Sequence, residues 1–273
     1  MKKTTTLLFL TSLITSVTAI AEDAKASAES ADPWVSATAS AGFDSSYYFR
    51  GLWFSNNNFW GGVNLSAPIT DKLTFGLGAL YTETAHTTIK GADDNLRYSE
   101  YDLIGSLSYE TDFATFGLVL TNYHFPDTFS GELDNETTGT VDDAVVKNAF
   151  DIGLTAMKSI GSFNLYLGSW FDTKIDGWYY EAGVDYTYAV TDKLSLVPVV
   201  QMGYAIDYYT FNSSDNEGLT HIRAAINAPY KVTDSLTVSA YGAYNIPLET
   251  RKGINVNETR NDPYCGVSAT YAF

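Results

Sequence analysis

Few side chains in this sequence are suited to acid–base or nucleophilic chemistry. The 273-residue chain contains three histidines, His86, His124 and His221, and a single cysteine, Cys265. One cysteine allows neither an internal disulfide nor a thiolate zinc cluster, and three histidines leave little for a metal site. A catalytic histidine is commonly oriented by a partner side chain, and Asp207 and His221 form a pair that two neighbouring strands could bring together. We predict a protein that is not an enzyme and that binds no metal or cofactor.

The charge of the chain is strongly acidic. Lys and Arg together number 16 against 32 Asp and Glu, which gives a formal net charge of −16. Such a chain is poorly suited to binding nucleic acid, whose phosphates attract Lys and Arg. One basic residue stands apart, because Arg50 lies among aromatic residues in the stretch SSYYFRGLWFSNNNFW, residues 45–60. Which side chains this guanidinium contacts depends on the strands and loops in which Arg50 lies.

Both ends of the chain carry signals typical of exported proteins. Residues 1–21 combine Lys2 and Lys3 with a short apolar segment and an Ala-Ile-Ala cleavage site, which is the pattern of a secretory signal peptide. Residues 22–33 are small and acidic and are predicted to form a tail before a domain at residues 34–273. The chain ends in the alternating run VSATYAF. After a signal peptide, a terminal aromatic such as Phe273 is typical of the closing strand of bacterial outer-membrane β-barrels.

Apolar residues alternate with small or polar ones along most of residues 34–273. In residues 59–69, for example, the odd positions are apolar or glycine, whereas the even positions include Asn64 and Ser66. A period of two predicts β-strands with one apolar face. Twelve such strands can be traced in the sequence. No apolar run after residue 21 approaches the roughly eighteen residues that a membrane helix needs.

The connections between these strands alternate in length. Five are short, and three of them share the related sequences TDKLTF, TDKLSL and TDSLTV. The others are mostly longer and polar, at residues 45–58, 84–97, 125–147, 208–218 and 247–262, with a brief one at 173–177. This alternation is typical of a transmembrane antiparallel up-and-down β-barrel. We predict an all-β barrel of twelve strands with both termini on the periplasmic side, and a soluble β-sandwich is the alternative.

Charged residues within the predicted strands fall almost entirely on the phase opposite to the apolar one. A charge on the lipid face near the midplane costs about 2–4 kcal/mol for Arg or Lys, so the charged phase should face the lumen. Acids outnumber bases there, which favours cations or neutral solutes. The predicted pore-lining residues are Arg50, Glu100, Asp102, Asp151, Glu181, Asp185 and Arg223.

Aromatic residues near the strand ends are expected to lie at the two lipid–water interfaces. Those assigned to the interfaces are Trp34, Tyr47, Trp53, Trp60, Trp170, Trp178 and Tyr209.

Arg50 lies further from Trp34 than the roughly 9–11 residues that a tilted strand needs to cross a membrane. We expect loop 45–58 to fold into the barrel mouth or to pack on its rim, because its aromatic side chains are poorly suited to bulk water. The guanidinium would then face carboxylates of the lumen, either as an ion pair that closes the wall or as a group that selects solutes. Tyr48 and Trp60 are candidates for stacking against a sugar or another flat solute.

Residues 35–52, VSATASAGFDSSYYFRGL, resemble the opening of the TorF-type family of bacterial outer-membrane porins. The shared motif is Tyr-x-Phe-Arg-Gly at residues 47–51, and the run GGVNL at residues 61–65 fits the second strand of that family loosely. The rest of the chain agrees with the family only in its barrel-like pattern. The resemblance implies an outer-membrane barrel that acts as a pore.

The sequence therefore predicts a porin-like channel for passive diffusion of small hydrophilic solutes. Its expected partners are these solutes, outer-membrane lipid and lipopolysaccharide, and the barrel-assembly machinery, which would recognise Phe273. The acidic loop 125–147 has three interpretations: a solvated surface loop, a divalent-cation bridge to lipopolysaccharide, or a vestibule that attracts cations. Two alternatives to a channel are a plugged barrel with a structural or surface-interaction role and a barrel enzyme that uses His124 or His221.

Overall fold

The two-residue alternation of the sequence becomes one antiparallel sheet in the structure, a computed structural model that describes residues 35–86, 98–126, 148–174, 176–208, 217–248 and 261–273. The expected signal peptide, the tail at 22–33 and nearly all of loop 125–147 lie outside the described residues. The strands are β1 (Ser36–Phe49), β2 (Leu52–Pro68), β3 (Leu73–His86), β4 (Ser99–Glu110), β5 (Thr115–His124), β6 (Asn148–Ile160), β7 (Phe163–Asp172), β8 (Gly177–Tyr186), β9 (Tyr188–Ala189), β10 (Ser195–Ile206), β11 (Glu217–Lys231), β12 (Leu236–Pro247) and β13 (Pro263–Ala272).

The sheet closes on itself. Each strand pairs with the next one along the chain, except that β8 pairs with β10, and β13 pairs antiparallel with β1 from Thr38↔Ala272 to Asp44↔Gly266. The two-residue β9 continues the line of β8 along β10, so the barrel wall contains twelve strands. Closure leaves no strand edge exposed. The predicted twelve-stranded up-and-down barrel is confirmed. Among the described residues no helix is long and apolar enough to cross a membrane.

The barrel has a turn end and a loop end. The turn end holds the short turns and both ends of the described chain, where the Phe273 amide donates to the Ala37 carbonyl. Four of its turns contain a Thr-Asp pair, and in each the threonine Oγ1 accepts hydrogen bonds from the backbone amides two and three residues later, as Thr70 does from Lys72 and Leu73. Such side-chain acceptors favour tight turns. The repeated Thr-Asp sequence is therefore a structural feature of this end.

The outer surface is apolar over the height of the wall. Leu103 is 63% exposed, and Leu154 and Leu167 are each 60% exposed. Exposure of this kind is stable only against lipid, where apolar side chains replace the polar face of a soluble sheet. Exposed aromatic residues border this surface at both ends and include Phe59, Tyr101, Trp178, Tyr109, Phe113, Phe163, Tyr188, Tyr230, Tyr271 and Phe273.

The expected set of interface aromatics is largely wrong. Trp178 is 40% exposed on the outer face, as expected, but Tyr47, Trp53, Trp60 and Trp170 are at most 8% exposed. Trp60 and Trp170 occupy inward positions of β2 and β7, and the other two belong to the inward-folded end of the first hairpin. Trp34 and Tyr209 lie outside the described residues. Proximity to a strand end did not reveal which face these rings occupy.

The expected long connection at residues 45–58 is also wrong. β1 continues to Phe49 and β2 begins at Leu52, so Arg50 and Gly51 alone form the turn. Both have positive φ, 50° and 83°, which is the conformation of a tight hairpin turn and suits glycine at the second position. The strand ladder also tolerates an irregularity between Tyr47 and Tyr48. The polar residues that suggested a loop are thus part of an extended hairpin.

Candidate functional site

The end of the β1–β2 hairpin lies inside the barrel near its loop end. We call residues 47–54 the hairpin tip. Tyr47, Tyr48, Arg50, Leu52 and Trp53 are each at most 8% exposed. Their cover is the barrel wall itself. The first connection therefore does fold into the lumen, as expected from its aromatic content.

Glycine at position 51 lets the hairpin tip approach the wall at β11 and β12. A Cβ atom there would clash with the imidazole of His221 on β11. The Gly51 carbonyl accepts a hydrogen bond of 3.4 Å from the Asn245 side-chain amide on β12. Because φ is positive and the space is filled, a larger residue at position 51 would destabilise this conformation of the hairpin tip on two grounds.

Arg50 reaches the opposite wall from the same hairpin tip. Its guanidinium donates to Asp151 Oδ2 on β6 at 2.5 Å and to the hydroxyl of Tyr208, which follows β10. The exposed fractions of Arg50 and Asp151 are 5% and 0%. Burying a charge so completely is expensive unless it is paired and hydrogen-bonded. The Arg50–Asp151 pair meets both conditions.

Aromatic faces complete the surroundings of the guanidinium. Its central carbon lies 4.7 Å from the ring centre of Phe49, 4.9 Å from Tyr208, 5.0 Å from Tyr179 and 5.3 Å from Trp170. Each such contact is worth roughly 0.5–2 kcal/mol, with the larger values in desolvated sites. Arg50 is therefore held by one carboxylate and four aromatic rings, and one of these rings, Tyr208, also accepts a hydrogen bond through its hydroxyl group.

The position of these partners shows that the hairpin tip spans the lumen. Going around the barrel, β1 and β2 are separated from β7 and β8 by β3–β6 on one side and by β10–β13 on the other. Trp170 on β7 and Tyr179 on β8 thus belong to the wall that faces the hairpin. The interior side chains of an eight-stranded barrel are enough to fill it. A twelve-stranded barrel is wider, so side chains of its wall alone leave space at the centre, and the hairpin tip lies in that space.

The lumen acids are hydrogen-bonded mainly by tyrosines. Glu100 accepts from Tyr47 at 3.1 Å and from Tyr98. Glu181 accepts from Tyr179 at 3.2 Å and from Gln201. Phenol donors satisfy a carboxylate without adding a positive charge. Glu100 and Glu181 are therefore hydrogen-bonded inside the barrel by neutral donors.

A second cluster surrounds Arg223 on β11. Its Nε donates to the Tyr264 hydroxyl at 2.6 Å, and the Tyr264 ring packs on Tyr48 at 4.7 Å and on Tyr241 at 5.9 Å. The Tyr241 hydroxyl in turn donates to Asp44 at 2.7 Å. The hairpin tip is thus fixed to β12 and β13 through Tyr48, as well as to β6–β8 through Arg50.

All seven residues predicted to line the pore lie inside the barrel. Arg50 and Asp151 are in direct contact, Glu100 and Asp102 occupy successive inward positions of β4, and Asp185 accepts from Asn164 at 2.8 Å. Tyr48 and Trp60, the candidates for solute stacking, are also inside, at 7% and 8% exposure. Tyr48 is packed on Tyr264, and a Cβ at Gly42 would clash with the indole of Trp60, so both rings are already covered by protein.

The sequence reasoning missed the tyrosines that hold these charges. Alternation on β8 and β5 would have placed Tyr179 and Tyr123 on the inward phase, because Trp178, Tyr180 and His124 are on the outward one. Tyr98 and Tyr208 gave no such signal. They lie just outside the strands, where a period of two no longer tells the inner face from the outer one.

The histidines are dispersed. His124 is on the outer face and shares a hydrogen bond of 2.7 Å with Asn148. His221 is 2% exposed in the lumen and pairs with Gly203, four positions before Asp207, so the strand register separates Asp207 from His221 by roughly 13 Å. In the described part of the chain, no group of three or more His, Cys, Asp or Glu side chains is arranged to hold a metal ion.

No protein-family model matches this chain, and no curated protein sequence does. Solved structures are similar in fold. The COG4313 outer-membrane channel from Pseudomonas putida F1 is 13% identical with a TM-score of 0.53, over 88% of this chain and 96% of that one. KdgM porin is 10% identical with a TM-score of 0.50, over 86% of this chain and 99% of that one. The chain thus has the fold of outer-membrane porin and channel barrels.

Proposed function

We propose that this porin-like barrel is an outer-membrane channel for passive diffusion of small hydrophilic solutes, with a preference for cations or neutral solutes. The observation that carries the proposal is the charge of the interior. The buried charged residues of the described lumen are Asp44, Glu100, Asp102, Asp151, Asp172, Glu181, Asp185, Arg50 and Arg223. Acids thus outnumber arginines seven to two in this lumen, an imbalance that would attract cations and exclude anions.

The hairpin tip is the constriction of the proposed channel. It reaches Asp151 on one wall and the backbone contact with Asn245 on another, and its own side chains are buried between them. Solutes would pass when the hairpin tip moves away from one of these walls. The channel is therefore proposed to be narrow and gated rather than permanently open.

Ion selectivity provides the direct test. The purified, refolded barrel is placed in a planar bilayer, and the reversal potential is measured across a KCl gradient. Replacing Glu100→Gln and Asp185→Asn together should move the reversal potential toward zero, because two negative charges leave the lumen while the side-chain shapes are kept. Asp192→Asn, in an exposed turn at the turn end, is the matched control and should leave selectivity unchanged. Equal reversal potentials for all three proteins would contradict the proposed role of the lumen acids.

A plugged barrel with a structural or surface-interaction role is the second candidate. It is favoured by the same hairpin tip, because an element fixed to several walls can also close the lumen permanently. The two candidates differ in one measurement. A correctly folded barrel that conducts neither as the wild type nor with Arg50 removed would favour the plugged form.

The family and the partners remain proposals. We propose that the chain is related to the TorF-type porins through the motif at residues 47–51, whose arginine and glycine occupy the turn of the hairpin tip. We also propose that Phe273, 79% exposed beside Tyr271, is recognised by the barrel-assembly machinery. Deleting Phe273 should reduce the amount of folded barrel in the outer membrane, which heat-modifiable gel mobility measures. Contact with lipopolysaccharide is proposed for the loop end.

A further inference from the structure

We propose that the lumen wall opposite the hairpin contains a binding site for small cations that carry a guanidinium group. The site, called the cation site, consists of Asp151, Trp170, Tyr179 and Tyr208. In the conformation described here Arg50 fills it as an internal ligand. As a site for a transported solute it rests on the proposed channel function, whereas binding itself can be measured without conduction.

The cation site is built by the wall and not by the hairpin. Asp151 belongs to β6, Trp170 to β7 and Tyr179 to β8, while Tyr208 follows the end of β10. Of the four rings around the guanidinium, one, Phe49, comes from the hairpin tip itself. Withdrawal of the hairpin tip would therefore leave the carboxylate, the phenol and three rings in place.

Contacts among these side chains hold them in position without Arg50. The ring of Tyr179 lies 5.9 Å from that of Trp170 and 5.9 Å from that of Tyr208. The Tyr123 hydroxyl donates to Asp151 Oδ2 at 3.3 Å. A site whose side chains are already ordered loses less conformational entropy when a ligand binds.

Glycines on the same wall make room for the indole. A Cβ at position 153 would lie 2.7 Å from two atoms of the Trp170 ring, and one at position 168 would also clash with that ring. Such distances are far below a normal contact between carbon atoms. Glycine at both positions thus allows Trp170 to lie flat against the wall with one face toward the guanidinium of Arg50.

The donors of Arg50 indicate which cations the site would prefer. The guanidinium places one N–H group on Asp151 and another on the Tyr208 hydroxyl, while its flat faces meet the rings. A planar, weakly hydrated cation with several N–H donors can make all of these contacts at once. Tetramethylammonium can use the rings but donates no hydrogen bond, and potassium keeps its water more strongly. The expected order of affinity is methylguanidinium, then tetramethylammonium, then potassium.

The substitution Arg50→Gly empties the cation site with little strain on the turn. Position 50 has a φ of 50°, which glycine adopts freely, and Gly-Gly is itself a favoured pair for such turns. The test measures binding of methylguanidinium chloride to the refolded, full barrel by tryptophan fluorescence, because Trp170 lines the site. Potassium chloride at equal ionic strength is the salt control, and folding is checked by heat-modifiable gel mobility.

The proposal expects a saturable response in Arg50→Gly, with at least about tenfold weaker apparent affinity when Asp151→Asn is added. Lys158→Ala is the matched control, because it removes a different cation–ring contact, 3.7 Å from Phe113 at the turn end, and should create no response. A folded Arg50→Gly barrel without a response, or with a response that Asp151→Asn does not weaken, would overturn the cation site.

Bilayer recordings of the same proteins separate this result from the channel proposal. Conduction without binding refutes only the site, and binding without conduction refutes only the channel.

Discussion

Removing the Arg50–Asp151 ion pair should release the hairpin tip and increase conduction. The pair joins the hairpin tip to the wall opposite it, and both members are almost completely buried. In a released state both charges would be hydrated instead. The substitutions Arg50→Gly and Asp151→Asn therefore weaken the closed conformation specifically, whereas the strand ladder that holds the barrel together is unchanged.

The magnitude follows from the burial of the pair. Removing one member of a buried ion pair leaves the other uncompensated, which costs about 3–5 kcal/mol. At about 1.4 kcal/mol per factor of ten, the ratio of closed to open barrels should fall by a factor of about 10² to 4 × 10³. The effect of Asp151→Asn should lie at the lower end, because Tyr208 and the four rings still surround the guanidinium. The double variant leaves no unpaired charge. Its ratio of closed to open barrels should therefore fall by less than the two single effects combined.

Single-channel recording measures this ratio as the open probability. The control is Asp234→Asn, which removes a surface ion pair of 3.4 Å with Lys231 in which Asp234 is 89% exposed. Exposed pairs contribute about 0–1 kcal/mol, so this variant should gate as the wild type does. Unchanged open probability in both lumen variants, with folding verified by gel mobility, would refute the argument that the ion pair holds the lumen closed.

Three further substitutions test other parts of the structure. Gly51→Ala should also favour the open state, because alanine is strained at the positive φ of this position and its methyl group would clash with His221. Single-channel open probability measures the change, and a wild-type value would argue against this contact. Leu154 is 60% exposed on the outer face, so Leu154→Arg should lower the free energy of unfolding in lipid by about 2–4 kcal/mol. If Leu154→Arg lowers it by less than Leu154→Ala does, this face lies outside the membrane. Tyr264→Phe removes the acceptor of Arg223 Nε and should destabilise the barrel by about 1–3 kcal/mol in urea unfolding, whereas a neutral result would mean that another group replaces the phenol.

The strands and their two faces were predictable because a membrane barrel repeats one local rule. Each residue on the wall faces either lipid or lumen, and lipid tolerates almost no charge, so the identity of a residue such as Asp151 or Leu154 reveals its side. The strand number followed from counting the alternating runs, whose connections alternate between short turns and mostly longer loops. Side chains on β4, β8 and β11 were therefore assigned to the lumen from sequence alone.

The first hairpin was predicted only in part. Its aromatic content indicated that it avoids bulk water, and this is how it folds. Its polar residues, Asn56 among them, suggested a loop, because the sequence does not show that β2 can begin at Leu52 and continue the ladder with β1. How far a hairpin extends past the membrane depends on which residues pack against it. Here the residues that pack against it belong to the opposite wall, at β6–β8.

What the sequence determined by itself is local: the period of two, the turns, the charged and apolar phases, and the net negative charge. What only the tertiary structure decided is which distant residues meet. Arg50 and Asp151 are 101 positions apart, and Arg50 and Tyr208 are 158 apart, so no spacing rule connects them. Closure of the barrel brings opposite walls within reach of one hairpin, and burial then requires each charge to find a partner there. The contacts that fill the lumen are therefore a consequence of closure rather than of any segment of the chain.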